Sequence, residues 1–246
     1  MNESKTKEFF ELPYYLENGK SIIEARSLQV QKILNNYTYS SILDLGSGDG
    51  GVSIPLIQGG NIKLTLVDFS KNMVESAKKQ TPNHLRACIS YLNMPIEDFE
   101  SSEKFDVIIC IGVFAHVLSI DETISVIKKH MNKDAIAIVE FTQNPNPIGK
   151  YFSKLHWFKN LISQNASLGF EVRNKISLAE LKRTAKKNGL ELIDERRHLY
   201  PLPGMRHWPR KLFDKYINFT STSSIFNKIG VEHLMVYRVN HRSANK

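Results

Sequence analysis

The chain has 246 residues with 41% hydrophobic and 24% charged side chains, the composition of a folded domain that can bury a core, which excludes disordered, collagen-like and disulfide-scaffold classes. The formal net charge of +8 is uneven: residues 1–140 hold 14 basic against 18 acidic side chains, and residues 141–246 hold 19 against 7. Lys-rich solvated helix faces account for such a surplus, and so does an anionic acceptor, carrier or surface met by the C-terminal part.

Charged residues before Tyr15 leave no apolar leader at the start of the chain. Residues 21–34 place Ile22, Ile23, Ala25, Leu28, Val30, Ile33 and Leu34 at roughly helical spacing. A strand is predicted over 41–45, ending at Gly46, with a glycine loop and a helix after it. A second strand over 64–68 leads to Ser70, which caps a helix running to about Lys79. Further strands are predicted over 88–92, 105–112 and 135–141, with a helix over 121–131 before the last. The four most apolar of these strands read as strands covered on both faces by crossover helices. Residues 142–175 break the rhythm with Pro145 and Pro147, yet Ile148, Tyr151, Phe152, Leu155, Phe158, Leu161 and Ile162 recur at helical spacing. Ser177 and Glu180 form a capping box for a helix that stops at Gly189. Strands over 191–198 and 232–239 could close the sheet antiparallel. Residues 196–211 predict a loop, with three prolines, Gly204 and many Arg, His and aromatic side chains. The expected fold is therefore α/β: a Rossmann-like, doubly wound, seven-stranded and mostly parallel sheet with an antiparallel closing strand and a helical insertion after strand 5.

The glycine loop is the most informative stretch. Gly46, Gly48 and Gly51 satisfy G-x-G-x-x-G directly after a strand, so a dinucleotide site must be weighed. Asp44 at the strand tip and Asp49 in the loop argue against one, because two like charges about 6 Å apart repel by roughly 2–3 kcal/mol even at an effective dielectric near 20. A nucleoside ligand that carries an ammonium and a sulfonium but no phosphate reverses that sign. Asp68, at the tip of the second strand, suits the hydroxyls of a ribose in either ligand.

Residues 43–50 (Leu-Asp-Leu-Gly-Ser-Gly-Asp-Gly), residues 66–70 leading to Met73, and residues 105–117 with their Phe-Asp opening and His-Val close resemble the motifs of class I S-adenosylmethionine-dependent methyltransferases. The resemblance covers about residues 20–140 and implies S-adenosyl-L-methionine as cofactor. It places Gly46, Ser47 and Gly48 along the methionine moiety and sugar, Asp44 beside the loop, Asp68 on the ribose, and Phe69 and Met73 around the adenine. The backbone at Ile111 would meet the methionine end, and Tyr14 and Tyr15 would fold over the cofactor. Where many members carry an Asp for the adenine amine, this chain has Pro95, with the Ile96 backbone N–H beside it. Arg26 is a candidate partner for the cofactor carboxylate, or else a surface helix arginine.

Methyl transfer is an in-line displacement that depends on alignment, with a base required only for a protonated nucleophile. His116, just past the fourth strand, is the candidate base against a packing role, and Glu140 at the end of the fifth is a second. Tyr151, Trp157, Arg206 and Arg210 are candidate acceptor contacts. The expectation is one methyltransferase domain over 1–246, comprising cap helices to 40, a cofactor core over 41–141, the insertion over 142–176 and a closing part over 177–246. It transfers a methyl group to O or N of a small-molecule acceptor. An RNA methyltransferase and a non-catalytic binding protein are the rival readings. RNA is disfavoured because no RNA-binding module or amino-methylating motif is present.

The longest apolar run, residues 107–118, is shorter than the roughly 20 residues of a membrane span, although Lys150, Lys154 and Lys159 would suit contact with anionic lipid. Cys88 and Cys110 have no metal or redox spacing, and the His and acidic residues show no ligand spacing, so no metal and a reduced, cytoplasmic location are expected.

Overall fold

The computed structural model describes residues 20–59, 61–117, 119–142, 177–199, 208–223 and 230–240. Tyr14, Tyr15, Tyr151, Trp157, Arg206 and all but Thr142 of the predicted insertion lie outside these residues.

Among the described residues, α1 (Lys20–Leu34) precedes β1 (Ser41–Leu45), β2 (Lys63–Asp68), α2 (Lys71–Gln80), β3 (Ile89–Asn93), β4 (Phe105–Cys110), α3 (Ile120–His130) and β5 (Met131–Thr142). The chain continues through α4 (Leu178–Lys187), β6 (Leu190–His198), α5 (Arg210–Thr222) and β7 (Glu232–Val239). The seven strands form one sheet in the order β3-β2-β1-β4-β5-β7-β6. Strands β1 to β5 pair in parallel, and β7 is antiparallel to both β5 and β6. Of the two strands expected to close the sheet antiparallel, only β7 does so. Strand β6 follows the crossover through α4 and therefore enters in the direction of β5, leaving a gap that β7 fills from the other end.

The sheet is buried on both faces, and strand parity sorts its side chains. Leu43, Leu45, Ile108, Cys110, Ala137, Val139, Met235 and Tyr237 pack with Ile124 and Ile127 of α3 and Leu181 and Ala185 of α4. Ile42, Val107, Ile109, Ile136, Ile138, Leu234 and Val236 pack with Val30, Ile33 and Leu34 of α1 and Ala77 of α2. Each such Ile or Leu contributes about 1.5–3 kcal/mol by leaving water. The starts of α2, α3 and α4 are fixed by Ser70, Ser119 and Ser177, whose hydroxyls accept from the N–H groups of Met73, Glu122 and Glu180.

Two local expectations are corrected. The glycine loop leads into a 3-10 turn, Ile54–Ile57, rather than an α-helix, a short element with Gly59 following within a turn. The predicted loop over 196–211 gives way to helix α5 at Arg210, directly after Pro209. Phe213, Tyr216 and Ile217 form a helical stripe that packs, with Trp208 and Leu199, on Ala25 and Ile22 of α1.

Candidate functional site

Strand β1 delivers the glycine loop to the carboxyl edge of the sheet, next to the tips of β2 and β4. The N–H groups of Gly46 and Ser47 both donate to the Val67 carbonyl, at 2.8 and 3.0 Å, which closes the loop onto β2. Gly46 has φ +73°, and a Cβ there would lie 2.4 Å from Val113 Cγ2, so only glycine fits beneath the segment after β4. Gly48 has φ +55° and open space instead: a Cβ there meets nothing within 4 Å, which leaves its backbone approachable. Asp68 ties the loop to the start of α2, because its Oδ2 accepts from Gly48 N at 2.7 Å and its Oδ1 from Ser70 N at 2.8 Å. Each of those oxygens keeps a second lone pair.

Asp44 continues the parity of Ile42 onto the α1 face and is buried. Its Oδ2 and the Ser47 hydroxyl are buried without a hydrogen-bond partner, a costly state that a polar ligand at the loop would relieve. Burial pushes the Asp44 carboxyl up to about 7, with the charges of Asp68 and Asp49 adding to the effect. Burial likewise raises Asp68 to about 6 against the two backbone N–H groups that hold it. Two carboxyls poised to ionise, orphaned polar atoms and an open glycine backbone fit a cationic nucleoside such as S-adenosylmethionine. They do not fit a pyrophosphate.

The other expected contacts surround this loop. Phe69 is half-buried and Met73 fully buried at the start of α2. Asn93 Nδ2 donates to the carbonyls of Asp68 and Phe69, joining the tips of β2 and β3. Pro95 is exposed just beyond, whereas Ile96 and Ile111 are buried. His116 sits half-buried on the turn after β4, its N–H donating to the Val113 carbonyl at 2.8 Å. It shares that turn with the residue packed on Gly46, so base candidate and loop lie at one edge. Arg210 Nε pairs with Asp214 at 2.9 Å and its NH2 donates to Ser21 Oγ at 3.0 Å, which docks α5 on α1.

Arg26 and Glu140 meet each other. Arg26 Nε donates to Glu140 Oε1 at 3.0 Å, and its NH2 lies 2.8 Å from Glu140 Oε2 and 3.0 Å from Glu232 Oε1. His198 Nε2 completes the group, 3.2 Å from Glu140 Oε1 and 3.0 Å from Glu232 Oε2. Burial alone would lower the His198 pKa, but the two carboxylates raise it to about 9. Burial raises Glu140; for Glu232 the opposing pull of Arg26 and His198 exceeds the burial effect and lowers it. Sequence reasoning missed His198 and Glu232, and it found no metal-ligand spacing. The fold nevertheless brings one ligand atom from each of Glu140, His198 and Glu232 within 4.8 Å of one another. The available signal was parity: Glu140 follows Ile136 and Ile138, and Glu232 precedes Leu234 and Val236, so both carboxylates face α1 at the same edge.

Among the described residues, no helix is long and apolar enough to cross a membrane. Residues 39–189 match the family model of a methyltransferase domain. A ubiquinone biosynthesis O-methyltransferase of Rickettsia prowazekii (strain Madrid E) is 37% identical over 115 residues, which are 45% of this chain and 44% of that protein. The chain thus matches under half the length of this relative. A magnesium protoporphyrin IX methyltransferase from Synechocystis PCC 6803, solved with bound SAH, superposes with a TM-score of 0.56 at 16% identity, covering 91% of this chain and 83% of that one. A TehB-like SAM-dependent methyltransferase from Corynebacterium glutamicum superposes with a TM-score of 0.53 at 14% identity, covering 89% and 88%. At such identities the likeness is one of fold, and it is the Rossmann-like α/β fold expected from the strand pattern.

Proposed function

The chain belongs to the methyltransferase-domain family, and from that premise we propose that it is an S-adenosylmethionine-dependent enzyme that methylates an oxygen atom of a small-molecule acceptor. One observation carries the reading: an open glycine loop flanked by the buried, partly unpartnered Asp44 and by Asp68. The choice of oxygen rests on the similarity to the ubiquinone biosynthesis O-methyltransferase.

When bound, the cofactor supplies an electrophilic methyl group on a sulfonium. The residues of this chain bind and align. Asp44 supplies negative charge beside the loop, and the remaining lone pairs of Asp68 accept from ribose hydroxyls. Gly48 lets the ligand lie against the backbone, while Phe69, Met73, Ile96 and Ile111 provide apolar surface for the base and the methionine chain. His116 is positioned at the same edge to take the proton of an acceptor hydroxyl. Glu140 is already engaged by Arg26, which favours His116 over it as base.

Calorimetric titration with S-adenosylmethionine, S-adenosylhomocysteine and NAD tests the cofactor. Micromolar binding of the two sulfur nucleosides and none of NAD is expected; absence of both sulfur nucleosides would return the chain to the class of non-catalytic binding proteins. Labelled-methyl transfer to a panel of hydrophobic and anionic hydroxyl compounds then tests the acceptor, and transfer only to amines or RNA would refute the choice of oxygen.

A further inference from the structure

We propose that Glu140, His198 and Glu232 form a binding site for one divalent transition-metal ion where the carboxyl ends of β5 and β6 meet the start of β7. The three side chains are separated by 58 and 34 positions in sequence, and the sheet assembles them. Thr142 and His198 both pair with Glu232 in the β5–β7 and β6–β7 ladders, so the end of two strands and the start of a third coincide. All three residues are buried, at 1%, 1% and 4% exposure, and one donor atom from each lies within 4.8 Å of the others.

A second observation points to a ligand. Glu140 Oε2, Glu232 Oε2 and both ring nitrogens of His198 are buried without an aligned hydrogen bond, although Glu140 Oε2, Glu232 Oε2 and His198 Nε2 lie within ion-pair distance of charged neighbours. Two buried carboxylates are expensive to desolvate; Arg26 balances one and the His198 imidazolium the other, so an ion bound here takes the place of the imidazole proton. Arg26 approaches from α1 and takes Glu140 through both oxygens but Glu232 through Oε1 alone. Glu232 Oε2, one oxygen of Glu140 shared with that guanidinium, and an imidazole nitrogen remain as a donor set.

The backbone holds these donors in place. Leu199, directly after His198, has φ +55°, and Val231 N donates to its carbonyl at 2.9 Å. A Cβ on Gly230 would lie 2.3 Å from the His198 carbonyl oxygen, so the entry to β7 is pressed against His198. Such rigidity is what fixes donors before an ion arrives. The donor chemistry selects the metal. One imidazole and two carboxylates suit Mn²⁺, Fe²⁺, Co²⁺ or Zn²⁺, whereas Mg²⁺ and Ca²⁺ favour oxygen-only cages. Three protein ligands also leave a coordination position open, as at reactive rather than purely structural sites.

The test uses the full chain, stripped with a chelator and titrated with Mn²⁺, Co²⁺ and Zn²⁺ by calorimetry, with Mg²⁺ as control. One equivalent of each transition metal is expected, with Mg²⁺ far weaker. Glu232→Gln and Glu140→Gln, which keep the side-chain volume, should each weaken binding by about 100-fold or more, since even outer partners of a metal ligand are worth 10–100-fold. Should those variants fail to fold, the wild-type protein still decides: Mn²⁺ must show nitrogen coupling from an imidazole ligand in pulsed electron spin resonance. No stoichiometric site, unchanged affinity in both variants, or Mn²⁺ bound without nitrogen coupling would overturn the proposal and leave a closed Arg-Glu-His-Glu ion cluster. The outcome is independent of cofactor binding, which is read separately with S-adenosylhomocysteine.

Discussion

Replacing Asp44 by Asn keeps the shape of the side chain and removes the charge that the glycine loop holds out of water. In the protein alone, burial places the carboxyl at about 7, against a usual 3.8. A positive centre about 5 Å away favours the ionised form by about 3 kcal/mol at an effective dielectric near 20, which corresponds to about 2 pH units. With cofactor bound, the group should therefore lose its proton near pH 5. Affinity for S-adenosylmethionine should be flat below about pH 5, rise by up to tenfold per pH unit to about pH 7, and level off above it, for a total of about 100-fold. Asp68, raised to about 6, adds to the lower part of that rise. The same displaced pKa acts on folding with the opposite sign. Between 3.8 and about 7 the folded state binds more protons than the unfolded one, so Asp44 makes the apo protein less stable as pH rises, and Asp44→Asn should flatten that trend. Calorimetric titrations from about pH 5.5 to 8 on both proteins supply the comparison. A wild-type affinity independent of pH, or a rise that persists unchanged in Asp44→Asn, would refute the assignment of Asp44 as the charge facing the cofactor.

The two glycines of the loop should separate stability from binding. Gly46→Ala meets Val113 at 2.4 Å with φ +73° and should cost about 1–3 kcal/mol in thermal unfolding. Gly48→Ala has room but sets an L residue at φ +55°, so it should cost about 1–2 kcal/mol from the backbone alone, while weakening S-adenosylhomocysteine at least tenfold; equal effects of the two variants in both assays would contradict the open-backbone account. His116→Ala should lower kcat by about 100-fold with cofactor affinity unchanged, and a change of less than about threefold would assign the residue to packing. Asp106 lies at the opposite end of β4, where Oδ2 accepts from the N–H and hydroxyl groups of Ser40 and Ser41 and Oδ1 from Asn132. Asp106→Ala should lower stability by about 1–3 kcal/mol in chemical denaturation without touching cofactor affinity.

Much of the fold was legible because strands covered on both faces write themselves as continuous apolar runs. Ser41–Leu45 and Glu232–Val239 were placed to the residue, and the serine caps of α2 and α4 marked their starts. Helix α5 was hidden because the prolines before it dominate the local pattern, while its reason to exist is the apolar stripe that docks on α1. The 3-10 turn after the glycine loop shows the converse: the glycine pattern carries the expectation of a helix, and the chain makes only the short turn Ile54–Ile57 there.

The sequence by itself determined the alternation of elements, the acidic glycine loop and the placement of Asp44 and Asp68 at the tips of the first two strands, since these depend on spacing within a few dozen residues and on the sign of nearby charge. Only the tertiary structure decided that Asp68 is held by the Gly48 and Ser70 amides, that β7 inserts between β5 and β6, and that Arg26, Glu140, His198 and Glu232 converge. Strand order is set by which edges remain open after the crossovers are made. A charge cluster drawn from four elements leaves no periodicity in the chain, and its pKa values follow from burial and facing charges that exist only once the sheet has closed.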